Sequence, residues 1–309
     1  MNYITTQHRY YTLNYHLEHR FNRKTFKVSL NGNFSCPNRD GTISHNGCLF
    51  CSEKGSGDFA GNAELNLHDQ FDQVRNQIHK KWPEAAYIPY FQANTNTYGP
   101  LEKLKALFEE AITLHKDIVA ISIATRPDCL EDEIIEYLSD LNKRIPVWIE
   151  LGLQTIHEDT AKFINRGHDL KCFSSAVNKL RNKNIEVIAH IINGLPHETK
   201  AMMLETIDYI NSLDIQGIKL HSLFLLKNTI LGEMYLHKPW KLLTLEEYVD
   251  IVVIQLAKLK PNIVIHRING DAPKDLLIAP LWGLKKLVVM NEIDKLMKQK
   301  NLYQGCMYI

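Results

Sequence analysis

A chain of 309 residues, 45% hydrophobic and 23% charged, can bury a full core within one large α/β domain, which excludes a disordered or fibrous protein. Its formal net charge of +1 excludes a chain that coats nucleic acid indiscriminately. The opening MNYITTQHRYYTLNY has no apolar signal-peptide core, and no stretch approaches the roughly 18 consecutive apolar residues of a spanning helix, so a cytoplasmic protein with no membrane partner is expected.

Residues 1–24 read as a basic N-terminal extension: Arg9, Arg20, Arg23 and Lys24, with Lys27 just beyond, stand against Glu18 alone, and Tyr3, Tyr10, Tyr11 and Tyr15 lie among them. Such a stretch is either a solvated face or a phosphate-contacting rim whose rings stack on bases. From 25 to 260, apolar or β-branched runs alternate with helical patterns, the signature of parallel strands covered on both faces. Strands are expected at 25–31, 86–92, 118–123, 146–151, 185–192 and 217–223. Helical periodicity falls at 131–142, 170–182, 199–212 and 244–258, and most clearly at 101–114, where Leu101, Leu104, Leu107, Phe108, Ala111 and Leu114 share one face. Six strand-helix units with right-handed crossovers curl into an α/β fold, a partial (β/α)6 TIM-like barrel, where eight would close it. Residues 261–309 form a C-terminal extension packed on the barrel, with one more short strand at 263–266, a helix at 284–300 and a second basic cluster including Lys274, Lys285 and Lys286.

In a reducing compartment the six cysteines read as ligands, reactive groups or small hydrophobes before disulfides. Three fall close together soon after the first strand, in Cys36-Pro-Asn-Arg-Asp-Gly-Thr-Ile-Ser-His-Asn-Gly-Cys48-Leu-Phe-Cys51. Gly, Asn and Asp let this loop bend three thiolates around one centre, at the strand ends where such folds place their chemistry. Three thiolates leave a four-iron cluster one ligand short, so that an incoming molecule can take the fourth iron. The same loop offers tetrahedral zinc a complete set if His45 joins the three cysteines, and the loop alone leaves both readings open. Cys129, Cys172 and Cys306 are scattered and read as buried hydrophobes.

At this loop and at the strand ends beyond it, from Phe26 to about Leu226, the chain resembles the radical S-adenosylmethionine (SAM) superfamily, and more narrowly its branch near the Elongator catalytic subunit. The spacing is C-x11-C-x2-C where the superfamily more commonly has C-x3-C-x2-C, a lengthened first gap like that of the Elongator-like branch. The resemblance implies a radical SAM barrel in which Cys36, Cys48 and Cys51 hold a [4Fe-4S] cluster whose fourth iron binds and cleaves SAM. It implies further SAM contacts: Phe50 near the adenine; Gln92 and Asn94 of Phe91-Gln-Ala-Asn-Thr95 at the amino group, although the family's glycines are missing there; and Thr125 and Arg126 of Thr125-Arg-Pro-Asp128, the Arg forking onto the carboxylate. Glu150 and Gln154 of Glu150-Leu-Gly-Leu-Gln-Thr155 fall at the family's fourth-strand segment, Glu150 accepting from ribose hydroxyls. Gly194 of Asn193-Gly-Leu-Pro-His-Glu-Thr199 lets the backbone approach the adenine. Asn165-Arg-Gly-His168 matches a segment of Elongator-like and coproporphyrinogen-oxidising relatives, and Arg267-Ile-Asn-Gly-Asp-Ala-Pro273 looks like a feature of one bacterial subfamily.

By the same resemblance, a reduced cluster splits SAM to methionine and a 5′-deoxyadenosyl radical, with a flavodoxin or ferredoxin as electron donor. The branch implies tRNA as partner and a wobble-uridine side chain as target, with conversion of carboxymethylaminomethyl to aminomethyl. A radical oxidase acting on a small molecule such as a porphyrinogen, and a non-catalytic zinc-dependent RNA-binding protein, are the rival readings.

Overall fold

The computed structural model describes residues 3–5 and 7–308. Its strands are β1 (Thr25–Leu30), β2 (Ala86–Phe91), β3 (Ile121–Thr125), β4 (Val147–Gln154), β5 (Glu186–Asn193), β6 (Gly217–Ser222), β7 (Leu225–Leu226), β8 (Val264–Arg267) and β9 (Leu277–Ala279). Strands β1 to β6 and then β8 form one parallel sheet in chain order, and β7 pairs with β9 in a short antiparallel ribbon. The six expected strands are thus joined by a seventh from the C-terminal segment. The helices are α1 (Leu13–Phe21), α2 (Leu67–His79), α3 (Leu101–Thr113), α4 (Asp132–Asn142), α5 (Glu158–Phe163), α6 (Leu170–Asn182), α7 (Lys200–Ser212), α8 (Ile230–His237), α9 (Leu245–Lys258) and α10 (Lys286–Gln299).

The pleat sorts each strand into two sets of side chains. Along β4, Val147, Ile149, Leu151 and Leu153 face the outer helices, and along β5 Val187, Ala189 and Ile191 do the same. This outer layer is the main core. Phe108 of α3, fully buried at 5.1 Å from the Phe91 ring, contributes roughly 2–3 kcal/mol by its burial. Sequence-local signals set where the helices begin: Asp169 accepts from the Cys172 amide, Thr199 from Met202, and Thr244 and Glu247 form a reciprocal capping box.

The alternate residues point into the barrel. At its base, where the strands begin, Trp148 is fully buried among Ile88, Ala120, Ile188 and Leu17 of α1, so α1 plugs that end. The Tyr11 carbonyl accepts from the Ile265 amide (2.8 Å), which ties the chain before α1 to the β8 edge. Gln304 accepts from the Tyr11 amide (2.8 Å) and its own amide donates to the Arg9 carbonyl (2.9 Å), and His8 meets Asp294 of α10 at 3.0 Å.

This places the basic N-terminal stretch at the base of the barrel, with several of its cations paired within the protein. Arg20 pairs with Glu186 (2.6 Å), Arg23 with Asp117 (2.9 Å) and Lys24 with Glu18 (2.9 Å), all at the base, while Tyr10 is buried and Tyr3 stacks on Tyr11. Residues 1, 2 and 6 of that segment lie outside the described residues. No helix of the described chain is long and apolar enough to cross a membrane.

Candidate active site

At the other end of the barrel, above the carboxyl ends of the strands, a cavity of about 280 Å³ opens. Its lining brings together Cys36, Cys48, Cys51, Phe50, Gln92, Asn94, Thr125, Arg126, Glu150 and Gln154, ten of the eleven residues expected from sequence. Gly194 is not among them. It stands at a positive φ (88°), needing glycine for that reason, and lines a neighbouring groove with Leu195, Pro196 and Trp240.

The cysteine loop runs from the end of β1 to the start of α2, and polar side chains from distant elements hold it. Arg39 donates to the Cys51 (3.2 Å), Ser52 and Glu53 (3.3 Å) carbonyls. Asn165 donates to the Gly47 carbonyl (2.7 Å), and the fully buried Asn38 donates to the Asn165 carbonyl (2.6 Å) and reaches the Cys48 sulfur at 3.5 Å. Gln92 donates to the Ser56 carbonyl (3.0 Å), and Asn94, itself at positive φ (59°), takes the space a side chain at Gly55 would fill. The Gln92 amide therefore holds the loop from beneath, and Asn94 bonds it through its backbone amide to the Gly55 carbonyl (2.9 Å).

The three thiols are free and half-buried. Burial, and then the neighbouring Cys51, push the Cys48 thiol up to about 12, so metal binding there must displace a proton. Among the described residues no three His, Cys, Asp or Glu side chains converge as the ligands of a single ion do, and His45 is exposed and outside the cavity lining. The zinc set of three cysteines and His45 is therefore not assembled. Cys36, Cys48 and Cys51 all line the cavity, and three thiolates are a donor set that would leave one iron of a four-iron cluster open to an incoming ligand.

Arg126 is committed elsewhere than expected. Its guanidinium is bidentate to Asp128 (2.9 and 2.7 Å) and donates to the Arg166 carbonyl (2.8 Å), so its fork is occupied within the protein. The fully buried Arg166 in turn donates to the Leu153 (2.9 Å) and Thr155 (2.6 Å) carbonyls and pins the end of β4. There the register slips between Gly152 and Gln154, and Gln154 sits at φ 65° with its amide folded over Gly152. Thr125 is buried and bonded to Thr97 (2.5 Å). Phe50 adds an apolar wall continuous with Ile192, Leu195 and Leu223, suited to a flat heterocycle.

Below lies a floor that the motifs did not reveal. Glu150, fully buried, is bonded by Lys27 (2.5 Å), Ser122 (2.8 Å), His190 (2.7 Å) and Lys219, so both oxygens are taken and it is no free acceptor for ribose hydroxyls. Burial alone would push the Glu150 carboxyl up, but Lys219, Lys27 and His190 hold it well below the usual range. Burial brings Lys219 down to about 7 against the pull of Glu150, and brings His190 to about 4, so His190 is neutral and donates through Nε2. Tyr90, His221 and Arg267 complete this floor. Each is an isolated polar residue at an inward position of an otherwise apolar strand or strand end, a signal visible in sequence only once the inward face is known.

The comparisons agree with the barrel. The radical SAM superfamily model matches residues 41–210, beginning just after Cys36, and the radical SAM C-terminal domain matches residues 215–299. The uncharacterized protein YtqA of Bacillus subtilis is 50% identical over 98% of this chain and 94% of its own length. Elongator complex protein 3 of Schizosaccharomyces pombe is 29% identical over 52% of this chain and 29% of its own. A structure of Elp3 from the archaeon Methanocaldococcus infernus superposes with a TM-score of 0.68 at 18% identity, covering 92% of this chain, which spans 65% of that one. With the barrel, the thiol-lined cavity at its mouth and a family match across more than half of its length, the chain belongs to the radical SAM superfamily, near the Elongator catalytic subunit, and its cofactors are a [4Fe-4S] cluster and SAM.

Proposed function

We propose that this enzyme acts on the side chain of a tRNA wobble uridine, removing the carboxymethyl group from carboxymethylaminomethyluridine to leave aminomethyluridine. The observation that carries the reading is the vertical order of the cavity: the three thiols at the mouth, the Phe50 wall beside them and an ionic floor below, which suits a substrate with a polar, charged end. Cys36, Cys48 and Cys51 hold the cluster; when bound, it supplies the electron that splits SAM into methionine and a 5′-deoxyadenosyl radical. The chain's own side chains position the loop (Arg39, Asn165, Asn38, Gln92), shield the heterocycle (Phe50) and fix the charge of the floor (Glu150, Lys27, Lys219).

Loss of the two carbons is a two-electron oxidation. One hydrogen atom leaves the carbon between the nitrogen and the carboxylate and becomes part of 5′-deoxyadenosine. One further electron passes to a flavodoxin- or ferredoxin-type carrier, giving an iminium, and water hydrolyses it to the aminomethyl group and glyoxylate. The similarity to Elongator complex protein 3 supports a tRNA partner, as does the exposed Lys274 beside cavity-lining Pro273. The test is nucleoside mass spectrometry of tRNA from cells with and without the gene. Carboxymethylaminomethyluridine accumulates without it if the reading holds, and an unchanged wobble-uridine profile overturns it.

A further inference from the structure

The floor carries more positive than negative charge, and the excess has a place. Lys27, Lys219 and Arg267 surround a single Glu150, whose two oxygens are already shared among Lys27, Lys219, His190 and Ser122. Lys219 has three N–H donors. Glu150 and the Tyr90 hydroxyl (3.1 Å) use two, and the third has no partner among the described residues.

Arg267 reaches the cavity through an irregularity. The β6–β8 register pairs Ile218 with Ile265 and then Lys219 with Arg267, so one extra residue, His266, is accommodated. His266 still faces inward, against Trp148 and Gly217, and Arg267, the next residue, also lines the cavity. A regular strand would send one of the two outward. The guanidinium makes no hydrogen bond among the described residues; its one ionic neighbour is Asp271 at 3.4 Å, and Asp271 is itself gripped by Lys286 at 2.9 and 3.0 Å. His221, two residues along β6 from Lys219, has no hydrogen-bond partner among the described residues, and Gly270 keeps its approach clear, since a Cβ there would come within 3.4 Å of Nδ1. A planar fork with one ion pair and no hydrogen bond among the described residues, a spare ammonium donor and an imidazole, gathered on one floor, match a carboxylate.

We propose that Arg267 and Lys219, with His221, form a carboxylate-binding subsite on the cavity floor and that the carboxylate it receives is the substrate's. This rests on the wobble-uridine reading for the identity of the substrate, but not for the chemistry of the subsite. SAM also carries a carboxylate, so the experiment separates the two sources.

The anaerobic, cluster-loaded full chain saturated with SAM is equilibrated with the nucleoside 5-carboxymethylaminomethyluridine and, separately, with its carboxamide. The carboxylate binds about tenfold tighter, as expected for a charge-assisted pair. Arg267→Gln brings the two within about twofold, Arg267→Lys retains part of the preference, and SAM affinity is unchanged in both. Equal binding of the two nucleosides by the native chain overturns the subsite without recourse to any variant, and binding of neither overturns the wobble-uridine reading together with it. So does an Arg267→Gln that weakens SAM and leaves the nucleoside preference intact. Anisotropy of an unmodified anticodon stem-loop RNA reports on the tRNA reading separately: absent RNA binding with the nucleoside preference preserved supports the subsite while removing tRNA as the partner.

Discussion

The two ends of the barrel are built from the same strands and the same pleat, yet they are held together by opposite means. At the base, Trp148, Ile88, Ala120, Ile188 and Leu17 fill the lumen by shape, and the chain termini lock over them. At the mouth, side-chain amides and guanidinium groups hold a long loop by its carbonyls, and that loop carries the three free thiols proposed to hold the cluster. Between them the ionic floor is a boundary, where the first inward polar residues appear one pleat above the plug. Stability and chemistry in this molecule are thus assigned by height along the barrel axis rather than by element.

Substitutions at the two ends should therefore fail in different ways. Cys36→Ala, Cys48→Ala or Cys51→Ala should lower 5′-deoxyadenosine formation from SAM and dithionite by about two orders of magnitude or more, with loss of iron-sulfur absorbance and little change in thermal stability of the iron-free chain. Trp148→Ala should do the reverse: a loss of about 3–5 kcal/mol in urea unfolding, with iron content per folded molecule preserved. Glu150→Gln, on the boundary, leaves Lys27 and Lys219 without their shared anion and should cost about 3 kcal/mol in the same measurement, since removing one partner strands a buried charge. Should Glu150→Gln be neutral, the floor is not the tight ionic network described.

Smaller effects sharpen the contrast. Asn165→Ala removes the donor to Gly47 and should reduce cluster retention on dilution by about tenfold while shifting unfolding by only about 1 kcal/mol. The smallest effect is a pH dependence. Lys219 faces Tyr90, Glu150, Lys27, His190, His221 and Arg267; burial, opposed by Glu150, sets it at about 7. A bound carboxylate favours the protonated amine, so carboxylate affinity is full below that value and declines as pH rises through it. A several-fold fall between about pH 6 and pH 9, absent for the carboxamide nucleoside, is expected in equilibrium dialysis.

Much of this architecture was legible because the outer faces of the strands are uninterrupted apolar runs and helices such as α3 and α6 repeat at 3.6 residues. The misses have physical causes. In α2, LHDQFDQVRNQIH, only Leu67, Gln70 and Phe71 are buried, so no apolar stripe announces it; α5 is one and a half turns long. Residues 118–120 look like strand but only lead into it, Ile118 making a single bridge to Tyr87, and β3 runs on to Thr125. The cysteine loop stands out by its spacing, which by itself left the iron-sulfur and zinc readings both open. The floor does not stand out, since Lys27, Glu150, His190, Lys219 and Arg267 come from five strands across more than 200 residues and meet only when the sheet curls. Local motifs also misassigned partners: Arg126 looks like a ligand fork until Asp128, two residues on, is seen to fill it.

The extra residue in β8 separates two roles. Arg267 already takes the place opposite Lys219, so deleting His266 would leave that cation in the lumen and remove only the ring set against Trp148. The charge of the floor and the filling of the base can thus be changed separately on one edge strand.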